Sequence, residues 1–241
     1  PLHSGRQVRL VARKKIVFVI VEGPSDEEAL GVLLNQIYDR NVLYVHIMHC
    51  DITTDYKVTA SNIVRKTCGE IQKYAKNNHY TKKDFAEIIH IVDMDGAYIP
   101  DQNIVENKNA VKTIYTPSQI QTSNREKIIS RNERKRANLD RLVVCSSMWD
   151  IKYRVYYMSC NLDHVLYGKM NSTELEKEQD AYKFAMKYHD QVPAFLKFIS
   201  GSDFSVSGEY EDSWKYITQE CHSLERHTNL GLCFRGLYEN T

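Results

Sequence analysis

Hydrophobic positions gather into three unbroken runs before residue 100, and each breaks off at acids, turn formers or polar residues. Lys15 to Val21 (KIVFVIV) is continuous and β-branched, which predicts a strand buried on both faces. It stops at Glu22-Gly23-Pro24-Ser25-Asp26, where Gly and Pro end the strand and Ser25 or Asp26 can cap a helix. Ala29, Leu30, Val32, Leu33, Leu34 and Ile37 then recur at helical spacing. Val42 to Met48 predicts a second strand and Ala60 to Tyr74 a second helix. Glu87 to Val92 predicts a third strand, ending abruptly at Asp93-Met94-Asp95-Gly96. Strand and helix alternate, so right-handed crossovers and a parallel sheet follow: the expected fold class is α/β.

After Gly96 the pattern loosens. Ala97–Thr122 is polar and predicts an irregular insertion, and Ser123–Leu142 predicts a helix with heavy positive charge. Val155 to Met158 predicts another strand, leading into Ser159–His164. Thr173 with Glu176 forms a capping-box pattern, Gly201 fits a helix C-cap, and a last helix is expected around Glu209–Glu225. The expected plan is a flexible basic arm at 1–14, an α/β core at 14–170 with an insertion at 97–142, and a helical C-terminal extension at 171–241 packed on the core.

Composition changes this picture little. Hydrophobic residues make up 42% and charged residues 26% of 241, near the globular norm, and the net charge of +1 does not announce a polyanion binder. The six cysteines form no C-x-x-C pair, which gives no sign of a zinc ribbon. The first apolar run is far shorter than the ~20 residues a membrane helix needs. The expectation is a reduced, cytoplasmic protein with no membrane segment.

The acids carry the chemistry. Ligands of open parallel sheets bind beyond the carboxyl ends of the strands. Glu22 follows the first strand directly, Asp93 and Asp95 follow the third, and Asp26 lies one helical turn past Glu22. Crowded carboxylates raise each other's pKa unless a cation lies between them, and hard oxygen donors suit Mg²⁺ or Mn²⁺ better than zinc.

The strand into Glu22-Gly23, followed later by the strand into Asp93-Met94-Asp95, resembles the signature of the Toprim family. That family includes topoisomerase and primase catalytic domains, OLD-type nucleases and small ribosomal-RNA maturation nucleases; the layout here is most similar to the OLD-like and small nuclease branch. The resemblance covers roughly the first hundred residues. It implies a Toprim-like sheet, with Glu22 as catalytic glutamate and metal ligand, Asp93 and Asp95 as further catalytic acids and Mg²⁺ or Mn²⁺ ligands, and Asp26 as a further acid of the catalytic site. Asp163, after the Val155–Met158 strand, sits where a glutamate is commoner in related phage-defence proteins, and is carried over as a fourth metal ligand. A helix N-cap is an equal reading of Asp163. Asp93-Met94-Asp95-Gly96-Ala97 is also similar to the first motif of haloacid-dehalogenase-type phosphatases. There, however, the motif opens the chain and has Thr at the position of Ala97.

Arg131, Arg134, Lys135 and Arg136 form the centre of a basic strip that is expected either to bind phosphates or to be a solvated helix face. The expected activity is Mg²⁺-dependent hydrolysis of phosphodiester bonds in DNA or RNA, in phage defence or RNA processing. The alternative is a non-catalytic scaffold that binds nucleic acid or an ATPase partner.

Overall fold

In the structure, a computed structural model, residues 14–38 and 43–238 are described; the expected basic arm lies outside them except for Lys14. Five strands form the central sheet in the order β2-β1-β3-β8-β7. The first four are β2 (Leu43–His49), β1 (Lys15–Val21), β3 (Phe85–Asp93) and β8 (Ile151–Met158), and they are mutually parallel. β7 (Ser147–Met148) closes one edge in antiparallel fashion. The result is an α/β protein with a mixed, mostly parallel sheet.

Strand alternation sends side chains to two buried layers. Val17, Val19 and Val21 of β1 face one cluster, which holds Leu30 and Leu33 of α1 (Pro24–Ile37). Ile16, Phe18 and Ile20 face the other, with Ile63 and Ile71 of α2 (Ile63–Asn77) and Leu139 of α3 (Arg125–Val143). A sheet covered on both faces explains why β1 and β3 read as continuous apolar runs rather than alternating ones.

The C-terminal region contributes helices that complete the core. Ala181 and Phe184 of α5 (Glu174–Tyr188) and Phe195 and Ile199 of α6 (Val192–Gly201) fill the α1 layer. Trp214 and Ile217 of α7 (Tyr210–Ile217) fill the opposite one. The helix expected at Glu209–Glu225 is thus shorter, ending at Ile217, and its remainder is a run of turns; a further short helix follows at Arg235–Tyr238.

The insertion departs from expectation. Ala97–Thr122 is not irregular: β4 (Ile104–Glu106), β5 (Ile114–Tyr115) and β6 (Ile120–Thr122) form a small sheet in the order β4-β6-β5. Strands this short contain too few positions to display a period, so the pattern alone could not reveal them. Among the described residues no helix is long and apolar enough to cross a membrane.

A candidate acidic site with an internal lysine

β1, β3 and β8 are adjacent and parallel, so their carboxyl ends share one edge. Glu22 and Asp93 meet there: Glu22 Oε1 accepts the Asp93 backbone N–H at 3.1 Å. Asp93 Oδ1 accepts the Leu162 N–H at 2.9 Å, which ties the end of β3 to the start of α4 (Leu162–Tyr167). Asp26 Oδ2 accepts the Gly23 N–H at 2.9 Å, which fixes the carboxylate at the first turn of α1.

The turn after β3 is left-handed at two successive residues, with φ +48° at Asp95 and +66° at Gly96. Asp tolerates that region and Gly adopts it freely. Asp95 N–H donates to Cys160 O at 2.6 Å and Gly96 N–H to Ser223 O at 3.2 Å, so the turn is clamped by two distant segments. A Cβ on Gly96 would lie 2.6 Å from Leu224 Cδ2 and 3.0 Å from Ile120 Cδ1. Gly96→Ala is therefore expected to destabilise the fold by about 1–3 kcal/mol, combining φ strain with crowding. A urea titration checks this, and an unchanged midpoint would contradict the clamp.

The basic strip does not stay together as one phosphate-facing row. Lys135 is fully buried, and its ammonium pairs with Asp95 Oδ2 and lies 3.5 Å from Glu22 Oε1. Arg131 is half-buried and donates to Asp95 O and to the Tyr115 hydroxyl, both at 2.7 Å. Arg134 and Arg136 are half-buried, and Arg136 lies near Tyr98. The physical reason is helical phase. Ile128, Asn132, Lys135, Leu139 and Leu142 recur at spacings of three and four, so Lys135 occupies the core-facing stripe of α3. Asn132 on that stripe donates to Gly96 O at 3.1 Å.

Electrostatics at this edge are set by burial first. It pushes the Glu22 carboxyl up to about 8; Lys135 opposes the rise and Asp95, Asp51 and Asp26 add to it. Burial raises Asp26 to about 6 against the pull of the Gly23 N–H. Asp93 is raised well above the carboxylate range by burial, then by Glu22, Asp26 and Asp95. Asp95 alone is lowered, because Lys135 and Arg131 outweigh its burial. Lys135 is raised, since Asp95, Glu22 and Asp93 outweigh the burial that would neutralise it. One carboxylate is thus neutralised internally, while its neighbours compete for protons or for another cation.

Outside the Glu22–Lys135–Asp95 contact lies a cleft of about 240 Å³, lined by Asp26, Asp93, Asp95 and Asp163 together with Lys112 and Lys177. Asp163 and Ser172 border this cleft side by side; burial raises the Asp163 carboxyl, and the Ser172 hydroxyl beside it opposes the rise. The expected N-cap role of Asp163 falls to Asn161, whose Oδ1 accepts the His164 N–H at 2.9 Å. As the side chains stand, no three His, Cys, Asp or Glu residues among the described ones form a ready metal cage. The donors still fit a hard divalent cation in kind, since those of Asp26, Asp93 and Asp163 are all carboxylate oxygens.

The site therefore unites Glu22, Asp26, Asp93, Asp95 and Asp163, and turns Lys135 from a surface cation into an internal one. Lys112, Lys177 and Ser172 are additional cleft residues with no local sequence signal, since only the folding of the insertion, of α5 and of the segment leading into α5 brings them here. Neither the protein-family models nor the curated proteins nor the solved structures compared with this chain give a match to it.

Proposed function

We propose that the chain is a Toprim-like, divalent-metal-dependent enzyme that hydrolyses phosphodiester bonds of DNA or RNA. The observation that carries this reading is the cleft at the ends of β1, β3 and β8, which aspartates line beside Lys112 and Lys177. Asp26, Asp93 and Asp163, which share the lining of this cleft, would hold Mg²⁺ or Mn²⁺. When bound, the cation would supply charge for the phosphate and an acidified water.

The chain's own residues do the rest. Leu162 N–H orients Asp93, and the Gly23 N–H orients Asp26. Glu22, whose carboxyl is pushed up to about 8, can exchange a proton near neutral pH, the property a general acid or base needs. Lys135 fixes Asp95 and Glu22 in place as a positioning residue. Lys112 and Lys177 at the rim supply positive charge for a polyanionic backbone.

A second reading has its own support. The Lys135 ammonium takes the place between Glu22 and Asp95 that a cation was expected to fill, which favours a metal-free scaffold that binds nucleic acid or an ATPase partner. Incubation with labelled single- and double-stranded DNA and RNA in Mn²⁺ or Mg²⁺ distinguishes the two. The enzyme reading expects cleavage that chelator abolishes and that Asp93→Asn lowers at least about a hundredfold. Metal-independent binding without cleavage would sink it in favour of the scaffold.

A further inference from the structure

β7 covers one edge of the sheet, but β2 at the other edge has no strand beyond it among the described residues. Cys50 N–H donates to Val21 O, so by two-residue alternation the amides of Val45, Ile47 and His49 point away from β1, toward the open side. An open edge is a template for another strand. A groove of about 850 Å³ runs alongside it between β2, α1 and α5. Val32, Tyr44, Tyr182 and Met186 line this groove and are 39, 50, 58 and 56% exposed, a concentration of apolar surface the fold leaves uncovered.

The charges along the groove select the occupant. Lys14 lies at its Leu43 end, because Lys15 is in register with Leu43. Glu27 and Glu28 lie at the His49 end, where Glu27 pairs with His49 at 2.7 Å. A strand paired antiparallel about a two-fold axis reverses this polarity and sets each Lys14 against the partner's glutamates. It also brings the two apolar grooves together on the same face. We infer that a second copy of this chain covers the edge, β2 against β2, forming a homodimer with one continuous sheet. The two acidic clefts then open at opposite edges of that sheet.

Sedimentation of the full chain across a concentration series tests this. The parent is expected to approach twice its 28.1 kDa mass at micromolar concentrations. Tyr182→Glu/Met186→Glu, at exposed α5 positions, should raise the dimer dissociation constant at least about tenfold with unchanged circular dichroism. Lys14→Glu and Glu28→Lys should each weaken the dimer, and combining them should restore it, an outcome that loss of folding cannot produce. A parent that stays monomeric up to about 100 μM overturns the proposal, as does a dimer indifferent to these changes. Capture of an extended peptide by a monomeric parent would assign the edge to a foreign strand instead.

Discussion

Lys135→Met is expected to cost about 3–5 kcal/mol of unfolding free energy at pH 8, because it leaves Asp95 and Glu22 buried without their cation. For a chain of this length that corresponds to a fall of roughly 6–20 °C in Tm. Methionine nearly conserves the volume, so lost packing contributes little. Two further measurements isolate the charge. Adding Asp95→Asn to Lys135→Met should recover most of the loss, since the stranded carboxylate is then gone. Lowering the pH should also shrink the defect, because protonation neutralises the same carboxyls. A Lys135→Met protein that melts with the parent at pH 8 would mean the ammonium does not hold this site together, and the positioning role would fall with it.

That lysine marks where sequence reading succeeds and where it stops. β1, α1 and β3 are long and strongly patterned, so their positions, and with them Glu22, Asp26, Asp93 and Asp95, follow from hydrophobic periodicity and the turn residues that end each run. The parallel crossover then places Glu22 and Asp93 at one edge, where the Asp93 N–H reaches Glu22. The basic strip misleads because composition counts charges without phase. A helical wheel aligned on Ile128, Leu139 and Leu142 puts Asn132 and Lys135 on the buried stripe, and that is the signal which finds them. The clamp of Ser223 on Gly96 and the approach of Lys177 to the cleft carry no local signature at all. They depend on contacts between segments about a hundred residues apart, made after the sheet has formed. The short strands of the insertion fail for the opposite reason: their contacts are close in sequence, but each strand is too brief to establish a period.

The acid cluster also predicts how stability changes with pH and with metal. Glu22 titrates near 8 in the fold against an ordinary value of 4.5, so the folded state holds a proton that the unfolded chain has released. Its contribution is fully present below 4.5 and is lost as pH rises through 8; Asp93, raised by burial and by Glu22, acts in the same direction. His90 and His164, lowered by burial to about 3 and about 4, work the other way, but their effect is complete above about pH 6.5. Asp95, lowered by Lys135 and Arg131, loses its contribution only in stronger acid. The clean window therefore runs from about pH 7 to 8, where Tm in chelator is expected to fall. A divalent cation binds the ionised carboxylates, so millimolar MgCl₂ should raise Tm, and more at pH 8 than at pH 7. At a hundredfold excess over Kd the gain is about 2.7 kcal/mol, or roughly 5–10 °C. Asp93→Asn should remove most of that gain, and it should also flatten the fall in chelator by deleting one of the competing acids. A Tm that falls with pH but ignores Mg²⁺ and Mn²⁺ would leave the electrostatics standing and defeat the metal-dependent reading, because the carboxyls would then be crowded around Lys135 alone.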